Sequence, residues 1–408
     1  MAECRFCAAP LRETFVDLGT SPLANSFLST EQLQQGELYF PLHAYVCERC
    51  FLVQLEEFET PSGIFSDYVY FSSVSESWVA HARTYVEKTI PRLGLGPDSF
   101  VVEIASNDGY LLQWFVEAGV PVLGVEPAAN VAKVAEERGI PSHVEFFGTE
   151  LGKRLAAERR RADLIIGNNV LAHVPAINDF VGGLSALLAP GGTITIEFPH
   201  LLRLIQETQF DTIYHEHFSY LSLVSVEQVF AAHGLRLYDV EELRSHGGSL
   251  RIYGCHEDAP FEASEQLVEL RAREDAFGLR ELETYTSFGE RVRALKHEVL
   301  EFLLQARRDG KRVVGYGAAA KGVTLVNYCG VRADLIECCF DLSEHKQGLF
   351  MPGSRIPVLP PAHAAEEPPD YLLILAWNLK DEIMGQMAHL REHGTRFVTP
   401  VPHVEVHD

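Results

Sequence analysis

The sequence predicts an α/β protein: a small N-terminal metal-binding module, a central doubly wound sheet and a second, Rossmann-like α/β unit at the C-terminus. Three observations predict it. Two Cys-x-x-Cys pairs, "CRFC" and "CERC", share an opening stretch that has few long helical patterns. Short apolar runs ("SFVVEIA", "VPVLGVE", "ADLIIGNNV", "GGTITIEF") then alternate with amphipathic segments ("GYLLQWFVEAG", "ANVAKVAEERG", "INDFVGGLSALLAPGG"). The alternation resumes at "KRVVGYGAAAKG" and runs through "LIECCFD", "PDYLLILAW" and "RFVTPVP". Apolar strands separated by amphipathic helices bury both faces of a parallel sheet.

The spans follow in order. Residues 1–75 form an irregular module, residues 76–260 the first sheet unit, residues 261–310 a helical connector and residues 311–408 the second unit. Within the first unit "VEQVFAAHG" reads as a helix stopped by glycine, and "LRLYDVEEL" and "SLRIYGC" as strands joined by "RSHGGS". The Glu/Arg/Lys pattern of the connector reads as solvated helix faces.

Composition excludes several partners. The 408 residues carry a net charge of −23. A polyanion is met by lysine and arginine, so neither nucleic acid nor an anionic membrane surface fits. No apolar run reaches the length of a membrane span. The start "MAECRFCAAPLRETF" lacks the basic-then-apolar order of a signal peptide. Eight cysteines are too sparse for a disulfide scaffold, so a reducing cytoplasm is expected. A small-molecule partner remains, and the chain is expected to work as a monomer.

The cysteine pairs have metal-ligand spacing. Cys4 and Cys7 reach one ion from one turn, Cys47 and Cys50 from another. Four thiolates close a tetrahedral zinc site, which makes it structural, and a small module poor in periodic structure needs such a staple. Four unrelated thiols, or redox pairs, are the competing account.

In "VVEIASNDGYLL" Glu103 ends a strand, and Asn107, Asp108 and Gly109 lead into a helix. Ligands of open α/β sheets bind beyond the carboxyl ends of the strands. Gly109 is expected to let the backbone approach a ligand closely. The loop is not the G-x-G-x-x-G of dinucleotide binders. An acidic loop suits a cation better than a phosphate. Glu126, closing the next strand, suits ribose hydroxyls. A helix N-terminal carboxylate and a turn would explain Glu103 and Asp108 taken singly.

This series resembles the class I S-adenosylmethionine-dependent methyltransferases. The resemblance implies that Glu103, Ser106, Asn107 and Gly109 hold the amino acid part of the cofactor, and Glu126 with Pro127 the ribose. It implies that Phe146 and Phe147 of "FFGTE" lie at the adenine. Asn168 and Asn169 of "GNNVLAHV" would border the reaction centre with His173. Over nearly the whole chain, "CRFC…CERC", "DLGTSPLANSFL", "SDYVYFSS", "EIASNDGYLL", "GNNVLAHV", "YHEHFSYLS" and "GYGAAAKG", in that order, resemble the sugar C-methyltransferases of antibiotic and surface-sugar pathways. That likeness implies methyl transfer to C3 of a nucleotide-linked, TDP-type 4-keto-deoxysugar. It also implies a zinc-binding N-terminal domain.

Carbon becomes a nucleophile only when a proton leaves beside a carbonyl. A histidine of near-neutral pKa suits the proton, and a tyrosine hydroxyl or second histidine suits the oxyanion. "DTIYHEHFSYLS" offers these groups in one turn. Spacing cannot choose between His215 and His217. The resemblance places catalysis on Tyr68, His173, Tyr214, Glu216 and His217, with His217 as base. A packed aromatic turn and half of a metal site are the alternatives.

"VVGYGAAAKG" puts Gly315 and Gly317 before Lys321, where backbone N–H groups would meet a diphosphate. A tightly packed degenerate turn is an equal account. "SHGGS" (Ser245 to Ser249) and Arg251 are expected to face the substrate, and Trp377 and Asn378 the nucleotide base. Competing functions are sugar O- or N-methylation, a non-catalytic zinc-ribbon binding protein, and an NAD-dependent sugar enzyme using the second loop.

Overall fold

The computed structural model describes residues 2–60 and 71–407. Its centre is a seven-stranded sheet. The spatial order is Leu235–Leu243, Ser249–His256, Leu188–Pro199, Ala162–Asn168, Val101–Ile104, Val122–Val125, Ser142–His143. The last five strands of that order run parallel, and the first two pair antiparallel. Val101 to Ile104 and Val122 to Val125 are buried on both faces, which is why they read as unbroken apolar runs.

The N-terminal module is more regular than the sequence suggested. Glu13–Ser21, Phe40–Val46 and Val53–Leu55 form an antiparallel sheet. Ser219–Tyr220 completes it as a fourth strand, with Val53 opposite Tyr220 and Gln54 opposite Ser219. A strand from the middle of the chain therefore belongs to the N-terminal sheet. That pairing joins the cysteine module to the Tyr-His-Glu-His segment.

The C-terminal sheet has the order Val358–Leu359, Cys339–Phe340, Val313–Tyr316, Tyr371–Ile374, Arg396–Thr399, Glu405–His407, parallel except at its last pair. The expected solvated connector is instead part of the core. Helix Phe288–Arg308 buries Phe288, Val292, Leu295, Val299 and Leu303 along one face. Phe288 stacks on Phe15 of the N-terminal sheet with ring centres 4.5 Å apart. In helix Glu265–Phe277, buried Glu274 accepts from His200 Nε2 at 2.6 Å and from the N–H groups of Leu223 and Val224 at the start of helix Leu223–Ala231. A carboxylate there meets the positive end of that helix. Glu274 apart, the charged residues of both helices lie toward water; every third or fourth position does not.

Candidate active site

The two cysteine turns are built alike. Cys4 N–H donates to Ala9 O and Ala8 N–H to Cys4 O; Cys47 N–H donates to Leu52 O and Phe51 N–H to Cys47 O. Ala8 and Phe51 take matching positive φ angles of 55° and 59°. The sulfurs of Cys4 and Cys50 lie 3.6 Å apart, those of Cys7 and Cys47 3.5 Å, and all four within 4.8 Å of one another. Zinc–sulfur bonds of about 2.3 Å give a tetrahedron with edges of about 3.8 Å. The four thiols fit a zinc ion. Gln54 Nε2 donates to Cys4 Sγ at 3.2 Å, an outer contact of the kind that orients a metal ligand.

The module reaches directly into the centre of the molecule. Arg5, between the first two cysteines, donates to Pro175 O at 2.9 Å and to Leu55 O, and lies over the Phe218 ring. Gln228 Nε2 donates to Cys50 O at 3.1 Å. The loops bearing His173 and His217 are thus stapled to the metal knuckle.

The cofactor side lies at the carboxyl ends of the central strands. Ala105, Asn107 and Gly109 have φ angles of 57°, 51° and 77°, a loop held away from ordinary strand or helix geometry. Glu126 keeps it there, accepting from Asn107 N–H and from Ala128 N–H, each at 2.9 Å. Asp108 accepts from Ser73 Oγ and pairs with Arg138 at 3.3 Å. Among the described residues, six buried polar atoms at these strand ends have no hydrogen-bond partner: Glu103 Oε2, Ser106 Oγ, Asp108 Oδ1, Asn168 Nδ2 and Oδ1, and Asn169 Oδ1. Such convergence fits a polar, cationic ligand. Asn168 faces the Tyr110 hydroxyl. Pro127 is half-buried beside Glu126. Phe146 is exposed, whereas Phe147 packs edge-on against Phe180. A Cβ at Gly109 would sit 2.2 Å from Ile140 Cδ1, so the position admits no side chain.

Burial, then the Glu126 and Asp108 carboxylates, push Glu103 well above the usual carboxylate range. A group raised on folding contributes stability at low pH that is lost as pH rises through its folded value. Glu103→Gln is therefore expected to raise the melting temperature of the ligand-free protein more at pH 8 than at pH 5. Thermal scans at the two pH values check this; equal shifts would count against it.

The catalytic candidates sort themselves by one turn. His217 N–H donates to Tyr214 O at 2.9 Å, closing a tight turn that sends the two histidines apart. His215 points into the N-terminal sheet, its Nε2 3.1 Å from Pro41 O and its ring edge-on to Phe40. His217 points the other way, with ring centres 4.1 Å from Tyr214 and 4.7 Å from His173. Its Nδ1 lies 2.9 Å from Thr212 O. A carbonyl only accepts, so Nδ1 carries the proton and Nε2 the lone pair. His173 has the same tautomer, its Nδ1 2.7 Å from Glu216 O. Burial holds His173 down to about 4. Burial, then His173, holds His217 well below its ordinary value. Both are neutral at pH 7. Glu216 accepts from Asn25 Nδ2 at 2.6 Å, a contact from "SPLANSFL". Tyr68 lies outside the described residues.

The expected substrate residues divide differently. Arg251 is buried in an ion-pair network, bonding Glu197 at 2.6 Å and Glu241 at 2.8 Å and lying over Tyr85. It is committed to the sheet and does not serve a phosphate. Although burial opposes it, His81 and Arg251 pull Glu197 down to about 2. Ser249 is likewise spent locally, donating to Ser245 O at 3.0 Å. Gly315 and Gly317 do not form a cradle. A Cβ on the first would meet Cys339 and Leu375 at 3.3 Å, and on the second Ala376 at 2.7 Å. Trp377 is buried, with Nε1 donating to Asp211 Oδ2 at 2.6 Å, so it does not present itself to a base. Lys321 stands beside it: its Nζ donates to Asn378 Oδ1 at 2.6 Å and lies 4.5 Å over the Trp377 ring.

Sequence reasoning missed Trp78, His81 and Asn25. Trp78 stacks on His81 and meets His246 edge-on at 5.3 Å, walling the cleft from helix Glu76–Leu93. Nothing local marks these residues, since each acts through a partner distant in sequence. A hollow of about 370 Å³ between that helix and strand Leu235–Leu243 is lined by Tyr85, Arg92, Glu241 and Arg251; of the expected site residues it touches Arg251 alone.

Comparison with known proteins matches three family models along the chain. Residues 4–65 match the family described as "Putative zinc binding domain", residues 78–240 "Methyltransferase domain", and residues 244–402 "C-methyltransferase C-terminal domain". The C-methyltransferase NovU of Streptomyces niveus is 40% identical over 99% of this chain and 96% of its own length. A ubiquinone biosynthesis O-methyltransferase of Bradyrhizobium sp. (strain ORS 278) is 29% identical over 24% of this chain and 38% of its own length. The solved magnesium protoporphyrin IX methyltransferase of Synechocystis PCC 6803 has a TM-score of 0.35 at 15% identity, covering 44% of this chain and 84% of its own, a likeness too low to bear on substrate.

Proposed function

Since the chain belongs to the C-methyltransferase family of NovU, which depends on S-adenosylmethionine, we propose that it methylates C3 of a nucleotide-linked 4-keto-deoxysugar, TDP being the nucleotide, with His217 as the base. The observation that carries this is the tautomer of His217. Thr212 O holds the proton on Nδ1, so Nε2 is left to take a proton from carbon.

S-adenosylmethionine supplies an electrophilic methyl group on a sulfonium. Glu103 and Ser106 suit its charged amino acid end, and Glu126 its ribose. His217 Nε2 removes the C3 proton, and His173 and Tyr214 border the developing enolate. Glu216, held by Asn25, keeps the turn in place, since its own carbonyl anchors His173. A neutral, depressed imidazole is already in the accepting state at pH 7.

Two tests follow. Methyl-labelled cofactor, incubated with a panel of nucleotide-linked keto sugars, is expected to place its label on a sugar carbon, read by NMR. Label on oxygen or nitrogen would remove the proposal. Because His217 is depressed, kcat/KM is expected to stay level as pH falls through 6.5 and to decline only below it. An acidic limb centred at or above pH 6.5 would mean that another group is the base.

A further inference from the structure

Resting on that reading of His217, we infer that Lys321 is the cation that receives the carbonyl oxygen of the acceptor as the enolate forms, in a pocket that His246 also lines. It is not a clamp for the diphosphate.

The placement of Lys321 is costly and unexplained by the fold. It is half-buried in the first turn of helix Ala320–Cys329, the positive end of the helix dipole. Among the described residues no carboxylate lies within 4.0 Å of its ammonium. Asp211 is the acid whose charge acts on it, with Oδ2 on Trp377 Nε1 and Oδ1 without a hydrogen-bond partner among the described residues. Asn378 and the Trp377 ring fix the ammonium with no carboxylate in contact. A half-buried ammonium held away from direct carboxylate contact suits an anion that arrives with the substrate.

Trp377 links that cation to the turn that holds the base. Its Nε1 anchors Asp211, and the next residue, Thr212, holds His217. The "HGG" turn rests against the same ring, since a Cβ on Gly247 would lie 2.5 Å from it. His246, Gly247 and Gly248 have φ angles of 54°, 87° and 116°. The left-handed conformation costs a non-glycine residue roughly 1–2 kcal/mol. Here Ser245 Oγ on Glu197 (2.8 Å) and Gln209 Nε2 on Gly247 O (2.7 Å) impose it. The result projects the His246 ring, exposed, into the cleft opposite Trp78. The Lys321 charge reaches both His246 and His217. By contrast, the loop glycines that a diphosphate would need are filled by Cys339, Leu375 and Ala376.

The step balances. The C3–H bond breaks and an Nε2–H bond forms on His217, while the electron pair moves onto the carbonyl oxygen facing Lys321. The enolate carbon then bonds the methyl group as the sulfur–methyl bond breaks, restoring the ketone and leaving a neutral thioether. The proton on His217 passes to solvent.

The test uses the full-length protein in D2O with S-adenosylhomocysteine and a TDP-linked 4-keto-deoxysugar, reading deuterium at C3 by NMR. Lys321→Met removes the charge and keeps the bulk. It is expected to slow exchange at saturating sugar by about 100-fold, to leave the affinity for TDP within about 3-fold, and to be partly rescued by Lys321→Arg. Lost TDP affinity with normal exchange would instead make Lys321 the diphosphate clamp and overturn the inference. Normal exchange in Lys321→Met, with exchange in the wild type, would sink the inference alone. No exchange in the wild type would sink the His217 reading beneath it. Asn378→Ala keeps the lysine but releases its ammonium, and gives the same readout if Lys321→Met fails to fold.

Discussion

Replacing His217 by asparagine is expected to abolish measurable deuterium exchange at the acceptor C3 and to lower turnover by about 10²–10⁴-fold, the usual contribution of a positioned base. The fold should survive. An asparagine amide N–H can still donate to Thr212 O, as Nδ1 does now at 2.9 Å. Cofactor affinity should hold, because Glu103, Asp108 and Glu126 belong to a different set of loops. Calorimetry with S-adenosylmethionine and NMR exchange separate the two effects. His215→Asn is the matched control. Its ring packs on Phe40 and Pro41, away from His173, so it should cost stability and leave exchange at near wild-type rate. Exchange that survives His217→Asn and vanishes in His215→Asn would reverse the assignment.

Removing zinc is expected to have the second large effect. A structural zinc site contributes about 10–16 kcal/mol of apparent binding energy, comparable with the whole stability of a typical domain. Cys47→Ser, or chelation, should unfold the N-terminal sheet. The loss should reach the active site by three routes. Val53–Leu55 is the pairing partner of Ser219–Tyr220, Arg5 anchors Pro175 O, and Asn25 holds Glu216. Turnover and C3 exchange should fall together, while cofactor binding persists in the central sheet. Metal content by atomic emission, a melting scan and calorimetry on one sample decide the point. Full exchange in zinc-free protein would show that the cysteine module is only an appendage.

Much of the architecture was legible because it is local. Strands such as Val101–Ile104 and Tyr371–Ile374 announce themselves through apolar runs, and the cysteine pairs through spacing set by a single turn. The N-terminal sheet was not legible. Its first pair is irregular in register, with bulges between Thr14 and Val16 and between Asp17 and Thr20, Val53–Leu55 is only three residues long, and one of its members comes from residue 219. The helices over 265–308 were misjudged because charge was plentiful. Yet each buries one face, Leu267, Leu270 and Glu274 in the helix from Glu265 and Phe288, Val292, Leu295, Val299 and Leu303 in the helix from Phe288.

The sequence by itself determined the chemistry on offer: four thiols at metal-ligand spacing, carboxylates at strand ends, and a phenol, two imidazoles and a carboxylate in one Tyr-His-Glu-His turn. Residue type and local spacing carry that information. Only the tertiary structure decided which group each side chain meets. Arg251 went to Glu197 and Glu241, Gly317 to Ala376, His215 to the N-terminal sheet, His217 to His173 and Tyr214, and Lys321 to Asn378 and Trp377. Those choices depend on pairings between segments far apart in the chain, where a charge is either neutralised by a neighbour or left available, and no local pattern encodes that neighbour.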